Sequence, residues 1–474
     1  MIRARSRSRS ALCWPLVLTI AGCAQPPAAT TPRLAKPITD YDSAASFAAS
    51  ERAWPERQWW RRYGDPQLDR MIDEALAGSP TLAAAKARLM AAQAAATVAG
   101  AALLPSLSGD ASLYETKQSY HYGFPPALTP KGYLDADTAS LNASFELDLW
   151  GKNRAAAAAA LSEAEAARLE AEMVAISLSS AIADAYADLA RHHAERDVAQ
   201  SALEIREATR DLTGKRLANG LETRAEYKQA SSLVPVAHAV LLALDEAIQL
   251  DRNRLAALLG AGPDRGMAIA RPAAPRLKAF GLPASLSLDL LGRRADIAAA
   301  RARAEAAARR IDVAEAAFYP NVNLVAFLGF QALGLANLAR NGSDIGALGP
   351  AVTLPLFTGA RLQGQFRQAE ADYQSAVADY DRTVTEALQQ VADVAASQKA
   401  LGERLAATRQ AVADSEEAYR IARRRYEGGL SNYLSVLSAE DRLLANRRDL
   451  TDLEARAFSL DVALVRALGG GFAS

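Results

Sequence analysis

Cysteine is nearly missing from this chain: only Cys13 and Cys23 occur in 474 residues, room for one disulfide at most, so stability must come from packing. Aromatic residues are also scarce, 6% of a chain that is half hydrophobic. The apolar mass is therefore aliphatic, much of it alanine, as in the run at residues 155–160. Alanine is the strongest helix former and the smallest apolar core side chain, so long, closely packed helices are expected. The four histidines are His121, His192, His193 and His238. Neighbouring helical residues point about 100° apart, so His192 and His193 cannot grip one ion as an i, i+4 pair does. They read as exposed surface histidines, and no metal site is expected. Neither sign of charge is in excess, 54 basic against 54 acidic, which removes the electrostatic case for nucleic acid. No P-loop, dinucleotide-binding glycine pattern or nucleophile elbow appears, and no convergent catalytic set, so an enzyme is not expected. After the N-terminus no run approaches 18 uninterrupted apolar residues. A transmembrane helix is not expected, and a β-barrel stays open as a way into a membrane.

What is present begins with an export signal. Arg3, Arg5, Arg7 and Arg9 precede a short apolar stretch at residues 11–20. It ends in Ile20-Ala21-Gly22-Cys23, which resembles a bacterial lipobox, with Cys23 carrying a diacylglycerol and an N-acyl chain as residue one of the mature protein. Ala24 in place of an aspartate favours sorting to the outer membrane. Removing residues 1–22 takes away four of the 54 basic residues and no acid, leaving the mature chain mildly acidic. Residues 23–58, with Pro26, Pro27, Pro32 and Pro37, read as an acylated flexible tether. Order is expected to begin near Trp59-Trp60 and Asp65-Pro66, with Pro66 in a first helical turn.

An internal repeat sets the architecture. Leu82, Ala87 and Arg88 match Ile297, Ala302 and Arg303 at a shift of 215, and Leu104-Pro105 matches Tyr319-Pro320 at the same shift. Leu147-Asp148-Leu149-Trp150-Gly151 matches Leu354-Pro355-Leu356-Phe357-Thr358-Gly359 with one insertion. Arg216-Leu217-Ala218-Asn219-Gly220-Leu221 matches Arg425-Tyr426-Glu427-Gly428-Gly429-Leu430, and Leu258-Leu259-Gly260 matches Ala467-Leu468-Gly469, both at a shift of 209. The first repeat spans 59–260, a linker 261–287, and the second repeat 288–474.

Each copy reads helix, strand, strand, long helix, turn, helix. Heptad spacing marks coiled-coil packing: Leu437, Leu444, Thr451, Phe458 and Val465, with Val198, Ile205 and Leu212 in the first copy. Long helices are expected near 152–216 and 360–424, each running about 90 Å at 1.5 Å per residue. Pairs of shorter helices, 80–104 with 221–260 and 288–318 with 430–468, sum to about that length and could stack end to end beside them. Alternating strands are expected near 107–113, 139–149, 322–330 and 351–357, apolar on one face as in a lipid-facing barrel. Loops 115–137 and 331–345 would join each pair outside the cell. Four strands cannot close a barrel, since the smallest have about eight, so either the protein is an oligomer or the strands are not a barrel.

Over residues 59–469 the chain resembles the TolC family of outer-membrane efflux proteins, in its NodT-like lipoprotein branch. The likeness rests on Trp59-Trp60 with Asp65-Pro66, the duplicated Pro105 and Pro320, the two strand-exit motifs and the turn at residues 425–430, in order and in duplicate. The resemblance implies a mainly α fold with a membrane β-barrel. Three chains of four strands each make a twelve-stranded barrel above a periplasmic tunnel of coiled-coil helices. The implied function is the passive exit duct of a tripartite export system for drugs or small toxins. Its implied partners are a homotrimer, a periplasmic membrane-fusion adaptor, a resistance–nodulation–division pump and outer-membrane lipid. The alternatives are a duct for peptides or proteins and a lipid-anchored periplasmic coiled-coil scaffold.

The resemblance also places sites. The two helical turns become the periplasmic tip, with Leu217, Gly220, Leu221, Tyr426, Gly429 and Leu430 as adaptor contacts. Glu226 stands at the family's gate acid and Tyr426 at its gate tyrosine. Ser431 replaces the gate arginine, while Ser435 and Ser438 replace the aspartates that narrow the pore. Arg224 or Arg425 could serve as gate cations instead.

Overall fold

The computed structural model describes residues 34–42, 47, 52–122, 125–273, 281–283 and 286–472, so Cys13, Cys23 and the signal segment lie outside the described residues. Each repeat gives the same series. In the first, α1 (Pro66–Gly78) and α2 (Pro80–Ala101) lead into β1 (Ser106–Thr116) and β2 (Leu134–Leu147), then α3 (Lys152–Ala218) and α4 (Arg224–Leu258). A short α5 (Pro263–Met267) follows. In the second, α6 (Leu286–Arg293) and α7 (Ala295–Ala316) precede β3 (Asn321–Leu333) and β4 (Asp344–Thr353), then α8 (Arg361–Glu427) and α9 (Tyr433–Ala467). Both long helices have 67 residues and both partners 35, so the duplication survives to the residue.

The chain divides into two units, each drawing on both repeats. The first, built on residues 89–166 and 300–380, holds the sheet. Its four strands run antiparallel in the order β1-β2-β3-β4, which leaves β1 and β4 as open edges. The register separates a mainly apolar face from a mainly polar one, with Val325 and Phe327 among the exceptions on the polar side. Leu107, Leu141, Ala143, Leu324, Ala326, Leu328 and Leu348 share one, while Ser108, Asp110, Ser140, Asn142, Asn323 and Ala351 share the other. The apolar face is exposed in a single chain, as a lipid-facing wall requires. Below the strands Phe318, Leu362 and Phe366 make a small core, and buried alanines such as Ala157, Ala159 and Ala306 let helices pack closely.

The fourth strand departs from expectation: it is 344–353, not 351–357, and Leu354 and Leu356 lie beyond it. Pairing starts at Phe330 with Asp344 and ends at Asn321 with Thr353, because Pro320 and Pro355 bracket the ladder and neither has an N–H to extend it. The helix expected over 288–318 is two, broken at Arg294. Its guanidinium is buried on Asp296, Gln390 and the Ala467 carbonyl, which favours a chain break over a continuous helix.

The second unit is built on residues 36–88, 167–299 and 381–474. Its core joins Trp59, Trp60, Tyr63, Leu68 and Ile72 to Ile182, Tyr186 and Leu189 of α3 and Phe458 and Val462 of α9. The Asp65 carboxylate accepts from the amides of Gln67 and Leu68 with Pro66 following, so α1 begins as the sequence suggests. The expected tether is a correction where it is described. The Lys36 amide donates to Asp381, the Arg52 amide donates to the Leu282 carbonyl, and Arg52, Arg62 and Tyr63 converge on the buried Asp461. Arg52 is the contribution of this stretch to the buried Asp461, which Arg62 and Tyr63 also meet.

His192 and His193 are a second correction, whereas His121 and His238 are exposed as expected. His192 Nδ1 lies 2.6 Å from Asp251, and His193 is partly buried, its pKa lowered by burial and by Arg271 and Arg252. Neither is free on the surface, since both lie where α3 packs on α4.

Candidate functional site at the two helical turns

The turns that end α3 and α8 are built alike, both within the second unit. Gly220 and Gly429 have φ of 72° and 73°, the left-handed region where a side chain costs energy. The Leu221 amide donates to the Arg216 carbonyl and the Leu430 amide to the Arg425 carbonyl, while the two glycine amides donate to Leu217 and Tyr426. This is the Schellman geometry, and it leaves Leu221 and Leu430 pointing outward. Leu217 is half-buried.

The helices leaving the turns are capped differently. Thr223 Oγ1 accepts from the Glu226 amide and the Glu226 carboxylate accepts from the Thr223 amide at 2.9 Å, a complete capping box. Hydrogen bonds from Thr223, side chain first and then backbone, hold Glu226 below the ordinary carboxylate range. At the equivalent place in the second copy, Asn432 accepts from the amide and hydroxyl of Ser435. Glu226 and Ser435 are thus both spent locally.

The polar link between the turns uses other residues. The Tyr426 hydroxyl donates to Glu222 at 2.6 Å, and the Arg216 guanidinium sits 4.4 Å over its ring. Arg216 also donates to the Tyr426 carbonyl at 2.9 Å and to Glu222 at 3.1 Å. Tyr426 is fully buried by this clamp, so its side chain is not available to a docking partner, contrary to the adaptor role expected for it. Burial first, then the Glu222 hydrogen bond, push its pKa up to about 12. Ser431 is half-buried, its hydroxyl without a hydrogen-bond partner among the described residues, and Ser438, Arg224 and Arg425 are exposed.

One layer further along, Arg206 of α3 meets Glu440 at 2.9 Å and Asp441, both of α9, while Thr209 donates to Glu440 at 3.1 Å. Glu440 is completely buried, which raises its pKa against the opposing pull of Arg206 and Thr209. Tyr426 and Tyr433 pack beside this pair with Val436 and Leu437. Neither Arg206, Arg216, Glu222 nor Glu440 stood out in the sequence. Arg216 and Glu222 sit in or beside the duplicated turn motif, but periodicity alone does not say which arginine faces the other hairpin. Among the described residues no group of three His, Cys, Asp or Glu side chains is placed to hold a metal.

With this geometry in hand, the likenesses to known proteins are specific. A model of the outer membrane efflux protein family matches residues 71–261 and 286–470, the two repeats. The chain is 30% identical over 478 residues to the multidrug resistance outer membrane protein MdtP of Escherichia coli, covering 99% of this chain and 98% of that one. It is 39% identical over 336 residues to the fusaric acid resistance protein FusA of Burkholderia cepacia, covering 70% of this chain but 63% of that protein. The crystal structure of the outer membrane protein VceC of Vibrio cholerae superposes with a TM-score of 0.84 at 49% identity, over 88% of this chain and 100% of that one. The chain belongs to the outer membrane efflux protein family and has the fold of its outer-membrane channels.

Proposed function

We propose that three copies of this chain form the exit duct of a tripartite export system. The observation that carries the reading is the sheet: four strands with one apolar face and two unpaired edges. In lipid those edges must be satisfied, and joining β1 of one copy to β4 of the next closes a barrel of about twelve strands. The exposed apolar face of α4, with Val236, Leu242 and Leu250, supports lateral neighbours around the helical part as well. Leu221 and Leu430 offer an apolar seat for a periplasmic adaptor, which would couple the duct to a resistance–nodulation–division pump. Cys23, acylated, adds an anchor. The names of the relatives favour drugs and small toxins as cargo, which the pump selects.

Light scattering in detergent should give the mass of three chains, and planar bilayers should show conductance. A stable monomer that still conducts would end the shared-barrel reading. Full release into the periplasm of a Cys23→Ser variant exported by a non-lipoprotein signal would favour a lipid-anchored scaffold instead.

A further inference from the structure

The apolar face of the sheet does not end with its strands. Leu149, Leu354 and Leu356 continue the alternation of Leu147 and Val352 and stay exposed. Beside Leu149 an open cavity of about 730 Å³ lies between the segment leading from β2 into α3 and the C-terminal end of α7, within the sheet-bearing unit. One wall is aromatic. Trp150 stacks on Tyr319 with centroids 4.8 Å apart and planes 20° from parallel, and its indole N–H donates to the Pro320 carbonyl at 2.7 Å. The remaining walls carry both signs of charge: Arg154 and Arg309 with Asp312 and Glu315. Arg154 is held by Asp148, whereas Arg309 meets Asp312 only at 3.4 Å with both side chains more than half exposed. Glu315 has no ion-pair partner among the described residues.

A guanidinium with a loosely held partner, an uncommitted carboxylate, a fixed indole surface and an apolar edge fit one class of molecule. We propose that this cavity binds the headgroup of a phosphoethanolamine glycerophospholipid. Arg309 takes the phosphate, since its planar fork matches two phosphate oxygens. Glu315 takes the primary ammonium, which can donate to a carboxylate. The glycerol region lies on Trp150 and Tyr319, as aromatic side chains do at membrane interfaces, and the acyl chains follow Leu149 onto the apolar face. A choline headgroup offers no N–H to Glu315, and an anionic glycerol headgroup would face Glu315 and Asp312 with no positive charge of its own. The site rests on reading the sheet as a barrel wall in lipid.

The test is native mass spectrometry of the full chain released from detergent after exposure to phosphatidylethanolamine, phosphatidylcholine or phosphatidylglycerol of matched acyl chains. Wild type should retain up to one phosphatidylethanolamine per chain, with about tenfold preference over the other two, the scale of one charge-assisted hydrogen bond. Glu315→Gln should bring phosphatidylethanolamine down to the level of phosphatidylcholine, and Arg309→Gln should lower all three. Equal retention of the three lipids by wild type, or an undiminished preference in Glu315→Gln, overturns the site. The same spectra report the assembly. A trimer without lipid preference removes only this site, whereas loss of the trimer removes the duct reading beneath it.

Discussion

At the scale of single residues, the gate expected at the helical turns depends on which carboxylate faces the second hairpin. Glu226 is committed to its own helix cap, whereas Glu222 accepts from both Tyr426 and Arg216. Single-channel conductance should therefore rise in Glu222→Gln and Tyr426→Phe and stay at the wild-type level in Glu226→Ala. Each such bond is worth roughly 1 kcal/mol, and three copies losing it together shift the closed–open balance by about 3 kcal/mol, on the order of a hundredfold in population. The reverse order of effects would return the gate to Glu226. Asp184 offers a different handle. Burial, against the pull of Arg466, raises its pKa to about 6. A carboxyl that holds its proton more tightly folded than unfolded adds stability that is present at acid pH and lost as pH rises through the folded value. Thermal stability in detergent should fall between about pH 4 and pH 6, by on the order of 1–2 kcal/mol after discounting for partial exposure, and Asp184→Asn should flatten that slope. An unchanged slope would show that another group is responsible.

At the scale of elements the decisive contact is between β2 and β3, the one pairing that joins the two hairpins into a sheet. Gly329 lies there with no room for a side chain: a Cβ would stand 2.3 Å from the Ala139 carbonyl oxygen and 2.6 Å from the Ser140 Cα. Backbone on a paired strand cannot yield that much. Gly329→Ala should abolish the trimer seen by light scattering while the helical circular dichroism persists. Gly346→Ala, whose nearest contact is 3.3 Å, should assemble normally. Equal behaviour of the two variants would mean that the hairpins do not need to pair. The helices were the more legible elements in the sequence. Heptads and paired lengths placed both 67-residue helices within a few residues of their ends, because a helix's periodicity is local. The fourth strand was misplaced because a strand is defined by its partner, and Leu354 and Leu356 alternate as well as any residue that does pair.

At the scale of the whole molecule, two facts bound the assembly: open sheet edges in each chain and an apolar face that water does not tolerate in isolation. A Cys23→Ser variant should still reach the membrane, less efficiently, because one acylated residue binds lipid modestly beside a barrel's apolar belt. Membrane fractionation decides it. Retention without the lipid assigns insertion to the strands, while its complete loss assigns it to the anchor.

The sequence alone determined the duplication, the helical lengths, the turn glycines and the amphipathic strands, since each is written in spacing along one element. Family membership was legible for the same reason: its motifs are short, ordered and repeated. Only the tertiary structure decided that Arg216 and Glu222 clamp Tyr426, that Arg206 meets Glu440, and that Lys36 and Arg52 dock the expected tether. These contacts join residues far apart in sequence, and helical periodicity gives a residue's face without giving the neighbour that fills it. Burial then chose among the polar candidates, because a charge removed from water keeps its place only where a partner from another element meets it.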